Sequence, residues 1–108
     1  MMLYLVRKKV EIEAKAEYSL ETNETVVLKE SMVSKEVSHS DKFRGAKTVA
    51  KLRESNVDDN HVVTKDITFR SPSTAANFVT GNSTNGLLAW KDENGRTLKE
   101  ILNDKVDK

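Results

Sequence analysis

Few residues of this chain have the type and spacing to do chemistry. The two histidines, His39 and His61, lie in polar, loop-like contexts with no ligand spacing around them, so no metal motif forms. Asp58 with Asp59 and Asp92 with Glu93 are adjacent carboxylates in loop-like stretches. Such pairs cap turns or face water, which makes them weak acid–base candidates. A calcium loop beginning at Asp92 fails because Gly95 comes too early and no bidentate Glu stands downstream at the required spacing. Gly81 and Gly86 bracket four residues as a phosphate loop does, but the Lys and Ser or Thr that must follow are missing. With no cysteine, thiolate ligands, a sulfur nucleophile and disulfides are all excluded. The expectation is a protein that is not an enzyme and needs neither cofactor nor metal.

What remains suits binding. Arg44, Lys47 and Lys51 stand three and four residues apart, which on a helix makes one basic stripe able to follow a phosphate backbone. The plainer reading is an ordinary solvated helix face. Arg70, Ser73 and Thr74 flank the start of a second helix, where free amides attract anions. Simple capping by Ser71 explains the same residues. Asn82 and Asn85 bound a polar turn whose amides and hydroxyls can reach base edges or phosphates, with Lys91 close behind. Turn chemistry alone also accounts for them. Trp90, beside Leu87 and Leu88, reads as core before it reads as a stacking platform.

These residues need a scaffold, and 108 residues supply about one domain with a single core. Apolar residues make up only 37% and charged ones 32%, but the apolar positions come in ordered bursts, which favours a folded domain over disorder. Eighteen Lys and Arg against seventeen Asp and Glu leave a net charge of +1, so nucleic-acid or membrane binding requires a local patch. The opening run MMLYLV is too short for a signal-peptide core and meets Arg7, Lys8 and Lys9, so the expected setting is cytoplasmic, away from membranes.

Leu3 and Leu5 begin an extended run. Ile12, Ala14, Ala16 and Tyr18 then alternate with charged residues at the period of a half-buried strand. A turn at residues 21–24 leads to a β-branched partner strand at 25–28, and Met32 and Val33 extend the sheet. Between 40 and 55 the period becomes helical through Phe43, Ala46, Val49 and Leu52, with Ser40 or Asp41 as N-cap and Gly45 as a weak point. Val62, Val63, Ile67 and Phe69 suggest one more strand or a broken extended segment. Ser71 caps a helix with Pro72 at its first position, and Gly81 ends it. Asn85-Gly86 predicts a tight turn, residues 92–95 another, and Thr97 with Glu100 has capping-box spacing for a last short helix. The fold class is α+β: a small antiparallel sheet in the N-terminal half with two to three short helices on it, one domain over residues 1–103, and a charged tail at 104–108.

Several of these stretches carry a resemblance. The alternating strand at 14–18 followed by TVVLKES (25–31), and FRSPSTAANFVTG with NGLLAWKDENGRTLKEI in the last third, resemble the small domain of unknown function at the C-terminus of many GIY-YIG nuclease-like proteins. The late motif is also similar to the restriction-enzyme adenine-methylase-associated domain, through its Pro-Ser start, small-residue helix and Asn-Gly-Trp-type turn. Three positions depart from the family pattern. Leu87 stands where Trp usually follows Asn-Gly, and Glu17 and Glu30 stand where Gly is favoured. No GIY or YIG string occurs, so the resemblance implies a domain acting alone or with a separate partner. It implies a non-catalytic accessory role with DNA or RNA as ligand; the alternative is a module that docks onto a separate protein subunit through the N-terminal hairpin edge or the segment of Leu87, Leu88 and Trp90.

Overall fold

Alternation in the first eighteen residues builds the sheet. The computed structural model describes residues 1–38 and 45–106, apart from the side chains of 105 and 106. Strand β1 (Met2–Arg7) turns through a short 3-10 segment (Lys8–Val10) into β2 (Ile12–Tyr18), antiparallel and in register Leu3 to Ala16 and Leu5 to Ala14. Because side chains alternate between faces, Leu3, Leu5, Ile12, Ala14, Ala16 and Tyr18 all fall on the buried side. β3 (Thr25–Val27) pairs with β2, and β4 (Ile67–Phe69) pairs with β3, both antiparallel, giving the order β1-β2-β3-β4.

Met32 joins the sheet only as a bridge, exchanging both backbone hydrogen bonds with Glu13 and pairing on its other side with Val62. The stretch read as one more strand or a broken one is therefore broken: Val62 and Val63 make isolated bridges, and the strand proper begins at Ile67.

Helix α1 (Ala46–Asn56) begins with Gly45 at its N-cap, without a side-chain cap, so Gly45 sits at the boundary and not within the helix. Ser40, Asp41 and Phe43 lie outside the described residues. Helix α2 (Pro72–Thr80) has the expected start, with a reciprocal Ser71–Thr74 capping box and Pro72 in its first turn. Ala75, Ala76, Phe78 and Val79 face the sheet and are fully buried, the two alanines allowing close approach. The Phe78 and Phe69 rings meet at 5.3 Å between centroids, tilted by 42°.

Asn85-Gly86 forms its turn as the start of a helix. Asn85 is the N-cap of a one-turn helix, α3 (Gly86–Ala89), its side chain accepting from Leu87 N, and Gly86 does not have the positive φ of a primed turn. Tertiary packing explains the difference. A Cβ on Gly86 would lie 2.3 Å from the Pro72 carbonyl carbon, so residue 86 must be bare for α3 to close over the start of α2. Trp90 then enters the core fully buried and donates from Nε1 to Pro72 O at 2.9 Å. Thr97 caps α4 (Leu98–Val106) as its spacing predicts, with Glu100 bonding back. That helix carries Leu98 and Ile101 into the core and extends past residue 103.

Candidate nucleic-acid interface

The polar turn after α2 is held from three directions. Gly81 ends the helix at φ 71, and a Cβ there would meet Glu36 O at 2.2 Å. Thr80 Oγ1 and Thr84 Oγ1 lie 2.7 Å apart, Thr84 N donates to Asn77 Oδ1 at 2.8 Å, and Gly86 N donates to Ser73 Oγ at 2.9 Å. Residues 82–85 are thus a rigid platform, with Asn82, Ser83 and Asn85 exposed on it.

Arg53, unremarked in the sequence, supports that platform from beneath. Its guanidinium reaches from α1 to donate to Phe78 O, Val79 O, Ser34 O and Ser34 Oγ at 2.7–3.2 Å, and it lies 5.9 Å from the Phe78 ring centre. Phe78 and Val79 are in the last turn of α2, where carbonyls lack helical partners and the dipole is negative, so a cation fits there. Burial pushes the Arg53 pKa down to about 10, which leaves it charged near neutral pH.

Two concavities meet beside the platform. One, of about 400 Å3, is lined by Arg7 and residues 82–85 together with Leu88 and Ala89; none of its lining residues is a carboxylate. The second, of about 730 Å3, shares Arg7, Leu88 and Ala89 and continues past Tyr4, Val6 and Lys91 to Asp92 and Glu93. Lys91 is fixed by its backbone, which exchanges hydrogen bonds with Tyr4 at 2.7 and 2.9 Å and so extends the β1 edge by one residue.

The residues singled out in the sequence therefore separate. Asn82, Asn85 and Lys91 gather around these adjoining concavities. Arg70 and Thr74 line a different, mostly apolar cleft between α1 and β4, with Lys47 and Lys51 exposed on α1. Ser73 is engaged with Gly86 N, and Thr74 with the Ser71 cap. Arg44 lies outside the described residues. Arg7, which sequence reading treated only as charge after the first apolar run, joins the platform. Its partners are some 75 positions away along the chain, so no local pattern signals it.

Among the described residues no three His, Asp or Glu side chains form a group able to hold a metal ion, and no helix is long and apolar enough to cross a membrane. The arrangement is that of a small α+β domain presenting a rigid polar turn beside an edge strand. The chain belongs to the family described as domain of unknown function DUF4357, which it matches over residues 5–102. No curated protein and no solved structure matches it.

Proposed function

We propose that this domain is a non-catalytic accessory module that binds nucleic acid, in a nuclease or restriction-type context such as the resemblance to GIY-YIG-associated domains implies. The observation supporting this reading is the concavity that sets Arg7 against the amides and hydroxyls of residues 82–85 without a lining carboxylate. Arg7 is exposed at the end of β1 and brings to that concavity the local positive charge that a net charge of +1 makes necessary. In this reading Arg7 and Lys91 neutralise phosphates, and Asn82 and Asn85 fix the strand by hydrogen bonds. Lys47, Lys51 and Arg70 lie on a separate face and extend the contact only for a ligand long enough to wrap the domain.

The test is titration with duplex and single-stranded DNA and RNA at low and moderate salt, following amide shifts and fluorescence anisotropy. Shifts should cluster at Arg7, Lys91 and residues 82–85 and shrink as salt rises. Arg7→Gln should weaken binding about tenfold and reduce the salt slope by about one. An absence of shifts at high protein concentration sinks the reading.

One observation favours the alternative of docking onto a protein subunit. Val6 is 49% and Leu88 51% exposed, and both line the larger concavity. Leu88→Ser separates the two, since it removes apolar docking area and leaves the cations in place.

A further inference from the structure

The chain contains the dipeptide Asn-Gly twice, at Asn85-Gly86 and Asn94-Gly95, and the structure surrounds the two copies very differently. Asn-Gly is chemically labile because the glycine nitrogen, unshielded by a side chain, can attack the asparagine side-chain carbonyl. At the first copy both reacting groups are held in fixed positions by other partners. The nucleophile, Gly86 N, donates to Ser73 Oγ at 2.9 Å, and the electrophile's oxygen, Asn85 Oδ1, accepts from Leu87 N at 3.0 Å as a helix cap. Gly86 is buried, and its backbone is wedged so closely on Pro72 that it has no room to rotate toward the side chain.

At the second copy the glycine nitrogen is again hydrogen-bonded, but neither burial nor a bond fixes the asparagine side chain. Asn94 and Gly95 are both exposed, no heavy atom lies within 4 Å of the Cβ position of Gly95, and the Asn94 side chain makes no hydrogen bond among the described residues. Gly95 N donates to Asp92 O at 3.0 Å, and Asp92 Oδ1 accepts from Asn94 N and Arg96 N, so the turn is closed through its backbone while the Asn94 side chain stays outside it.

We infer that Asn94 is a site of spontaneous deamidation in the folded protein and that Asn85 is protected from it by the packing of α3 on α2. The step needs only water. Gly95 N loses its proton to solvent and bonds to Asn94 Cγ, the bond from Cγ to Nδ2 breaks, and ammonia leaves. Water then opens the resulting cyclic imide at either carbonyl, giving aspartate or isoaspartate. The product places a third carboxylate beside Asp92 and Glu93, on the turn that forms one wall of the larger concavity.

The experiment is incubation of the full chain at mildly alkaline pH, native and in denaturant, followed by peptide mapping with mass detection and isoaspartate analysis. Incubation lasts until both sites have converted measurably in the unfolded chain. In the native protein Asn94 should convert within about threefold of its unfolded rate, and Asn85 at least about tenfold more slowly than its own, because its reaction waits on a local opening. Ser73→Ala, which frees Gly86 N, should raise the Asn85 rate and leave Asn94 unchanged. Comparable native rates at both sites, or protection of Asn94 equal to that of Asn85, would overturn the inference.

Discussion

Helix α2 has two ends, and they are finished in different ways. At the N-terminus the orphan amides are satisfied locally: Ser71 Oγ accepts from Thr74 N, and Thr74 Oγ1 accepts in return from Ser71 N. At the C-terminus local chemistry goes only as far as Gly81, whose amide bonds back to Asn77 O. The carbonyl of Phe78 is taken by Arg53, some 25 residues away on another helix, and that of Val79 is shared between Arg53 and Ser34 N. The cap of the first end depends only on residues within one turn of each other. The second depends on α1 being in place, and it supports the turn that carries the candidate interface.

Removing Arg53 is the largest perturbation of this comparison. Arg53→Ala leaves Phe78 O and Ser34 O short of donors while Val79 O keeps Ser34 N, and charge-assisted bonds of this kind contribute about 1.5–3 kcal/mol each. We expect a loss of about 3 kcal/mol in urea unfolding, with shifts propagating to residues 82–85 in the remaining folded protein. Arg53→Lys should recover less than half, since a single ammonium cannot span the three carbonyls that the planar fork reaches. If Arg53→Ala costs no more than loss of the N-cap, the C-terminal end is not held by α1 and the contrast collapses.

The N-cap itself is the next test. Ser71→Ala should cost about 1 kcal/mol, measured in the same denaturation series, because water can replace the lost bond at an exposed helix start. Its effect should stay at residues 71–75, with the 82–85 turn unshifted.

This difference between ends also explains what the sequence made readable. The Ser-Pro start, the alternation of β2 and the Thr97–Glu100 box are local patterns, and each appears where its spacing predicts. Arg53 and Arg7 were not readable, because each takes its role from groups 19 to some 75 positions distant, and a cation on an amphipathic helix or at a strand end carries no mark of its partner. At Asn85-Gly86 the turn was readable and its helical form was not, for a related reason. The dipeptide's local preference is a hairpin turn, and the packing of Gly86 on Pro72 overrides that preference. Of the candidate site, the polar turn and Lys91 were legible and Arg7 was not.

The smallest effect concerns another left-handed position. Glu30 has φ 74, close to the 71 of Gly81, but carries a side chain, while Glu17 stands in the middle of ordinary pairing between β1 and β3. Glycine is the residue that the family resemblance leads one to expect at both. A side chain in the left-handed region costs about 1–2 kcal/mol, partly offset by the greater freedom that glycine has in the unfolded chain, about 0.5–1 kcal/mol. Glu30→Gly should therefore stabilise the domain by about 0.5 kcal/mol, as Glu30 N keeps its bond to Val63 O. Glu17→Gly should destabilise it by a similar or larger amount, because a strand residue gains nothing from positive-φ freedom and glycine weakens a strand interior, with the contact to the N-terminal ammonium lost as well. Opposite signs for one chemical change would show that the backbone at residue 30, and not glycine content in general, sets the preference. Equal signs would mean that Glu30 recovers its strain elsewhere, through side-chain contacts that glycine forfeits.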